Sequence, residues 1–363
     1  MKKNFFALII VWAFALSGVA AAQTNTAGAQ TNQLVNLLPA SDGAMTFNMQ
    51  RLLSEALPQI LSGNQPILAD VLEHIDRVKA KTGIDLRQFE QIAVGVSSRK
   101  NATSELDFEP VILARGTLNA NQLLTLGKIA SNSKYREEKI GSRTIYIFTP
   151  QTAQAVIKTL PPPNQPSVKT RSTIEKALDR MFNRLSSELA VAAFDNNTLA
   201  IGSPARLRET FGATPRISGD VLDLTSRKPN ALVNFSASLP SGLSSFFKLD
   251  NDELGKTLDS IRFMAGAIDV NDGNATVSLT AKTSKPEQAT SFQEQLEGFQ
   301  NIGKIFLGGA KGADRQVYAR LVENVKIGRA ANEVMLDLQV PQSDINFLLD
   351  KFVKPKVKTV SSK

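Results

Sequence analysis

The run Asp269-Val270-Asn271-Asp272-Gly273 crowds oxygen donors around a glycine, as calcium loops do. An EF-type loop starting at Asp269 needs oxygen ligands at positions 1, 3 and 5, glycine at 6 and a bidentate glutamate at 12. Here those decisive places hold Gly273, Asn274 and Thr280, so the metal reading fails at three of them. A hairpin fits better, because Asp-Gly favours the two-residue turn whose twist matches the flanking strands. Turning at Asp272–Gly273 sets Val270 against Ala275, Ile268 against Val277, Gly266 against Leu279 and Met264 against Ala281. One face is then apolar, and the other, with Asp269 against Thr276 and Ala267 against Ser278, is largely polar.

The other chemical residue types are isolated. His74 is the only histidine, one helical turn after Asp70, and no nucleophile stands beside it in the sequence. Ser131-Asn132-Ser133-Lys134 and Lys81-Thr82-Gly83 match the triplets of penicillin-binding enzymes, but in reversed order. Lys81–Gly83 reads instead as a helix stop, and Ser131 follows a helix where the enzyme motif would start one. The glycine-rich stretch 308–313, GGAKGA, lacks phosphate-loop spacing and reads as a connection. Asp250, Asp252 and Glu253 suit the start of a helix as well as a cation. The residues offer no catalytic, cofactor-binding or metal site, and no cofactor is expected.

The elements that would position these groups alternate between the two periods. A strand is expected at 44–49, then a helix from Arg51 that Pro58 should kink or end. A second helix spans about 66–81, with Ile67, Leu68, Val71, Leu72, Ile75 and Val78 on one side. Strands follow at 91–98 and 109–118, a helix at 121–130 and a hairpin over 135–148. Residues 150–172 form a Pro-rich extended insertion, and 173–187 an amphipathic helix with Lys176, Arg180 and Arg184 on its flank. Glu175 and Asp179 dilute that basic flank, which favours packing onto its own sheet over a lid or membrane-touching element. A hairpin over 188–203 ends at Ser203–Pro204, which caps a further helix.

The second half replays this order. It gives a strand at 230–239, helices over 241–261, the hairpin at 262–283, and a capping box at Ser284–Glu287. A helix through Phe306, strands near 316–327 and 333–340, and a last helix over 341–352 complete it. Neighbouring strands joined by tight turns make antiparallel sheets. The expected class is α+β: two related units, each an antiparallel sheet with helices packed on one face. Their bounds are 43–215 and 216–353, after a disordered leader over 23–42 and before a basic tail over 354–363.

Residues 1–22 have the three parts of a secretory signal peptide: Lys2 and Lys3, an apolar stretch, and small residues before Gln23. An uncleaved anchor is the competing reading. No other stretch is apolar enough to span a bilayer. The chain has no cysteine, so no disulfide, thiolate metal site or lipidated cysteine is available. Its net charge of +8 is spread along the sequence, which favours weak attraction to anionic surfaces and does not indicate a nucleic-acid binder.

The runs LLPASDGAMTFNMQRLL, KTGIDLRQFEQIAVGV and KYREEKIGSRTIYIF resemble a group of uncharacterised exported bacterial proteins. The resemblance implies an extracytoplasmic, non-enzymatic α+β protein and brings no catalytic residue with it. The sequence therefore leads to a periplasmic or secreted interaction or structural protein with an unknown protein or cell-envelope partner. The alternative is a carrier that holds an apolar, lipid-like ligand between sheet and helices.

Overall fold

The computed structural model describes residues 34–100, 106–132, 134–149, 189–212, 215–240, 244, 253–309 and 312–353. The signal-like segment 1–22, the leader up to residue 33, the insertion 150–172, the helix expected over 173–187 and the tail 354–363 lie outside these residues, as do Asp250 and Asp252. Among the described residues, twelve strands form one antiparallel sheet. They are β1 (Gly43–Asn48), β2 (Phe89–Lys100), β3 (Leu106–Gly116), β4 (Tyr135–Ile140), β5 (Arg143–Phe148), β6 (Leu189–Asp195), β7 (Thr198–Gly202), β8 (Val233–Ser238), β9 (Ile261–Asn271), β10 (Asn274–Thr283), β11 (Val325–Ala330) and β12 (Glu333–Val340). Their order is β11-β12-β10-β9-β8-β1-β2-β3-β7-β6-β5-β4. The class is α+β.

The two expected sheets are halves of this single one, joined where β1 runs antiparallel to β8 and Phe47 faces Val233. Outward from that seam the first half runs β1-β2-β3-β7-β6 and the second β8-β9-β10-β12-β11, with β5 and β4 extending the first. The β9–β10 turn has the register read from the sequence: Val270 faces Ala275, Ile268 faces Val277 and Gly266 faces Leu279. Asp272 and Gly273 carry φ of 51° and 76°, the pair of left-handed residues that a type I′ turn requires.

The helices cover both faces of the sheet, where the sequence placed them on one. Because side chains alternate along a strand, Ala44 and Phe47 of β1 point to opposite sides. Ala44 belongs to a core with Ala93, Val111, Leu113 and Ile145. Onto this core pack Leu207 of α5 (Pro204–Phe211) and Val221 of α6 (Gly219–Ser226). Phe47 belongs to the core of the other face, with Leu52, Leu57, Ile60, Val233 and Val270. That face is closed by α1 (Met49–Arg51), α2 (Leu57–Ile60), α3 (Gln65–Thr82) and Ile345 and Leu349 of α10 (Gln342–Val353). Each fully buried leucine or phenylalanine contributes about 1.5–3 kcal/mol. The face of β9 read as polar also buries Ala265 and Ala267, against α6.

Three local expectations change. Residues 34–39, read as disordered leader, contribute to the core: Leu34, Val35 and Leu38 are buried, and Pro39 bridges to Arg216. Polar neighbours hide these three apolar residues in the sequence. Pro58 does not break its helix. Lacking an N–H, it cannot bond the Ser54 carbonyl, and the chain takes a π turn over Leu52–Ala56, with the Leu57 N–H reaching Leu52. Residues 316–324, read as strand, form most of a helix, α9 (Ala313–Asn324), because Val317 and Leu321 are one turn apart and both turn inward.

Candidate functional site

The residues singled out in the sequence are not brought together. His74 lies on α3 with its Nδ1 buried and without a hydrogen-bond partner. Burial pushes its imidazole below the ordinary value, Arg77 adds to this, and Asp70 opposes it. Such a ring is held neutral, and no hydrogen bond orients its Nδ1. Ser131 ends α4 (Ala120–Ala130), buried, and its hydroxyl donates to the Lys128 carbonyl at 2.7 Å. Lys134 meets it only through the backbone, its N–H donating to the Ser131 carbonyl at 3.0 Å. Gly83 stops α3 in the left-handed region at φ 73°, as the helix-stop reading requires.

Asp269 has a different partner from a metal. Arg51 Nη1 lies 2.8 Å from its Oδ1, while Arg51 Nε pairs with Glu55 at 3.0 Å. The same guanidinium donates to the Val270 carbonyl at 3.2 Å and to the Asn230 carbonyl. Gly273 N–H donates to Gln59 Oε1 at 3.0 Å. The acidic turn is thus an anchor for the segment following β1, and Arg51 joins the two halves of the sheet. Among the described residues, no group of three or more His, Cys, Asp or Glu could hold a metal ion.

The feature that sequence reading missed is on α8 (Pro286–Gly308), a helix about 34 Å long at 1.5 Å per residue. It starts at Lys285, whose N–H donates to Gln288 Oε1 at 3.0 Å, one residue later than the expected box. Ser284 instead accepts from Arg262 Nε at 2.8 Å. The inner side of α8 carries Ala289, which is fully buried, with Phe292, Leu296, Gln300, Gly303 and Leu307 partly buried. Gln300 donates to the Val322 and Val325 carbonyls at 2.9 and 2.7 Å, and Gly303 allows close approach to Val322 of α9.

The outer side changes character along the helix. In its first turns the arc on this side holds Gln288, Ser291 and Gln295, of which only Ser291 is exposed; Gln295 Nε2 donates to Thr257 of α7 (Glu253–Ser260) at 3.0 Å. After Gly298 the same arc holds Phe299, Ile302, Ile305 and Phe306, exposed to 54, 52, 79 and 79 %. At 3.6 residues per turn these four cover about 120° of the helix circumference. The sequence carried a signal for them: from 298 to 307 apolar residues occur around more of the helix than one packed face can use. By contrast, the open depression at Asn119, Asn121, Gln122, Thr125 and Leu126 is a helix start, where Asn119 accepts from Asn121 and Gln122 N–H at 3.1 Å each.

No family model matches the sequence, and no curated protein matches it. Among solved structures the chain is similar to three crystal forms of TP0453. Form IV gives a TM-score of 0.41 at 10% identity, covering 90% of this chain and 99% of that one. Form III gives 0.39 at 10% over 92% and 100%, and form I gives 0.38 at 9% over 88% and 97%. Among the described residues, no helix is long and apolar enough to cross a membrane.

Proposed function

We propose that this chain is an extracytoplasmic interaction protein that works by binding rather than by catalysis. It acts through the outward arc of α8. The observation that carries the reading is that arc: four large apolar side chains, contiguous and exposed, on a helix whose opposite side is already packed. A contiguous exposed apolar patch of this size is often a functional contact site. The sequence supports export through the signal-like segment 1–22, and the repeated strand order supports an origin by internal duplication. Carriage of an apolar ligand between sheet and helices has less support, because side chains such as Leu52, Leu57, Ile60, Leu232 and Val233 fill that layer.

The test is native purification from the exported fraction, with mass spectrometry of everything that co-elutes. The reading expects a stoichiometric envelope component whose co-elution is lost in Phe299→Asp/Phe306→Asp. Co-elution unaffected by that double substitution would contradict the assignment of the surface, and recovery from the cytosol alone would contradict the assignment of the compartment.

A further inference from the structure

We infer that the occupant of the α8 arc is an anionic lipid surface, into which Phe299, Ile302, Ile305 and Phe306 insert while α8 lies along the membrane plane. This rests on the reading of the arc as a binding face. Three observations select lipid over a second copy of the chain.

The first is area. With aromatic side chains presenting 150–250 Å² each, the four residues at their observed exposures offer on the order of 450 Å². A stable dimer needs about 800 Å² per partner, so a second copy seated on the arc alone is too small a contact. An interfacial helix needs no such minimum, because its apolar face sinks only about 5–10 Å into the headgroup boundary.

The second is charge. Within α8, residues 298–308 carry Lys304 and no carboxylate, whereas Glu287, Glu294 and Glu297 all precede Gly298. Two copies meeting at this end would bring like charges together, while an anionic surface would meet opposite ones. Lys304 is exposed but about 160° from the centre of the arc by helical geometry, so it adds to the local field at this end of α8 rather than to a contact within the arc.

The third is the switch within one helix. The arc is polar from Gln288 to Gln295, where Gln295 bonds Thr257 of α7 at 3.0 Å and, on the sheet side, Arg329 Nε meets Gln293 at 3.2 Å. It becomes apolar only where the helix packs on α9, away from those sheet contacts. The apolar residues therefore serve a surface the fold itself does not provide.

The test places a reporter in the arc. Phe306→Trp in a Trp12→Phe background leaves one tryptophan, so the emission reads this site and not the apolar N-terminal segment. Its urea midpoint should stay at that of the parent chain, since Phe306 is exposed. Titration with phosphatidylglycerol/phosphatidylcholine vesicles is expected to give a blue shift of roughly 10 nm or more in emission. The shift should be absent with phosphatidylcholine alone, reversed by 0.5 M salt, and lost when Phe299→Asp and Ile302→Asp are added. Equal shifts with both vesicles would overturn the anionic assignment. No shift with either, or a shift that depends on protein concentration without lipid and accompanies a dimer in light scattering, would overturn the lipid assignment. Failure here combined with a protein co-eluting through Phe299 and Phe306 would leave the binding face standing and remove only its lipid identity.

Discussion

Helices α4 and α8 leave the third strand of their respective halves, β3 and β10, and lie on the same face of one sheet, yet they are used differently. α4 has 11 residues and seals its end of the sheet by burying Ala120 and Leu124 with Leu118 and Leu199. α8 has 23 residues, buries Ala289, and leaves four large apolar side chains in solvent; α4 leaves Leu126 and Ile129. The strand order fixes where a helix starts and returns. Its length and the character of its outer arc are free to vary, and that freedom is where a binding face can arise without disturbing the sheet.

The sharpest way to break this comparison is to remove one apolar side chain from each helix. Leu124→Ala should cost about 2–5 kcal/mol, as for a buried leucine that leaves a cavity. Ile305→Ala should change stability by no more than about 0.5 kcal/mol. Urea unfolding of both variants decides it, and equal losses would mean that α8 is packed after all.

A second test asks whether the halves unfold as one body. Arg51 links the segment after β1 to Asp269 in the β9–β10 turn, so Arg51→Ala leaves that carboxylate without its partner. A loss of about 2 kcal/mol is expected, within the range for hydrogen bonds to charged groups. Followed by probes in each half, the transitions should stay coincident at lower urea; separation into two would show that the seam is weaker than drawn.

A smaller effect has the opposite sign. A Cβ at Gly298 meets nothing within 4 Å, so Gly298→Ala should stabilise α8 by about 0.5–1 kcal/mol through helix propensity. The gain should appear in thermal melts, and a loss would mean that the turn preceding the arc is not helical in solution.

The smallest effect is the pH response of His74. Its folded-state pKa lies below the ordinary 6.5, so the unfolded chain takes up a proton that the folded chain resists. The contribution is therefore fully present above pH 6.5 and is lost as pH falls below it. His74→Gln should flatten that part of the stability profile between pH 7 and 5. A profile unchanged by the substitution would show that the ring is hydrated.

What could be read from the sequence depended on the distance between partners. The Asp272–Gly273 hairpin was legible in full register because turn and pairs lie within 20 residues. The β1–β8 seam was not, since Phe47 and Val233 meet across the chain and either strand could have been an edge. Leu34–Leu38 looked like leader because nothing local says which core they enter. The helix over 316–324 was missed because Val317 and Leu321 sit in a run with Val322, Val325 and Ile327, which also suits a strand. The arc on α8 was hidden for a related reason: an apolar position in a helix does not announce whether the fold supplies its partner.

The central claim, that the arc of α8 is the working surface, is tested most directly by hydrogen exchange with and without anionic vesicles. The account predicts slowed exchange in residues 298–308, with residues 219–226 of α6, closed against the other face, unchanged as the internal reference. Unaltered exchange over 298–308, or equal slowing in both segments, would contradict it.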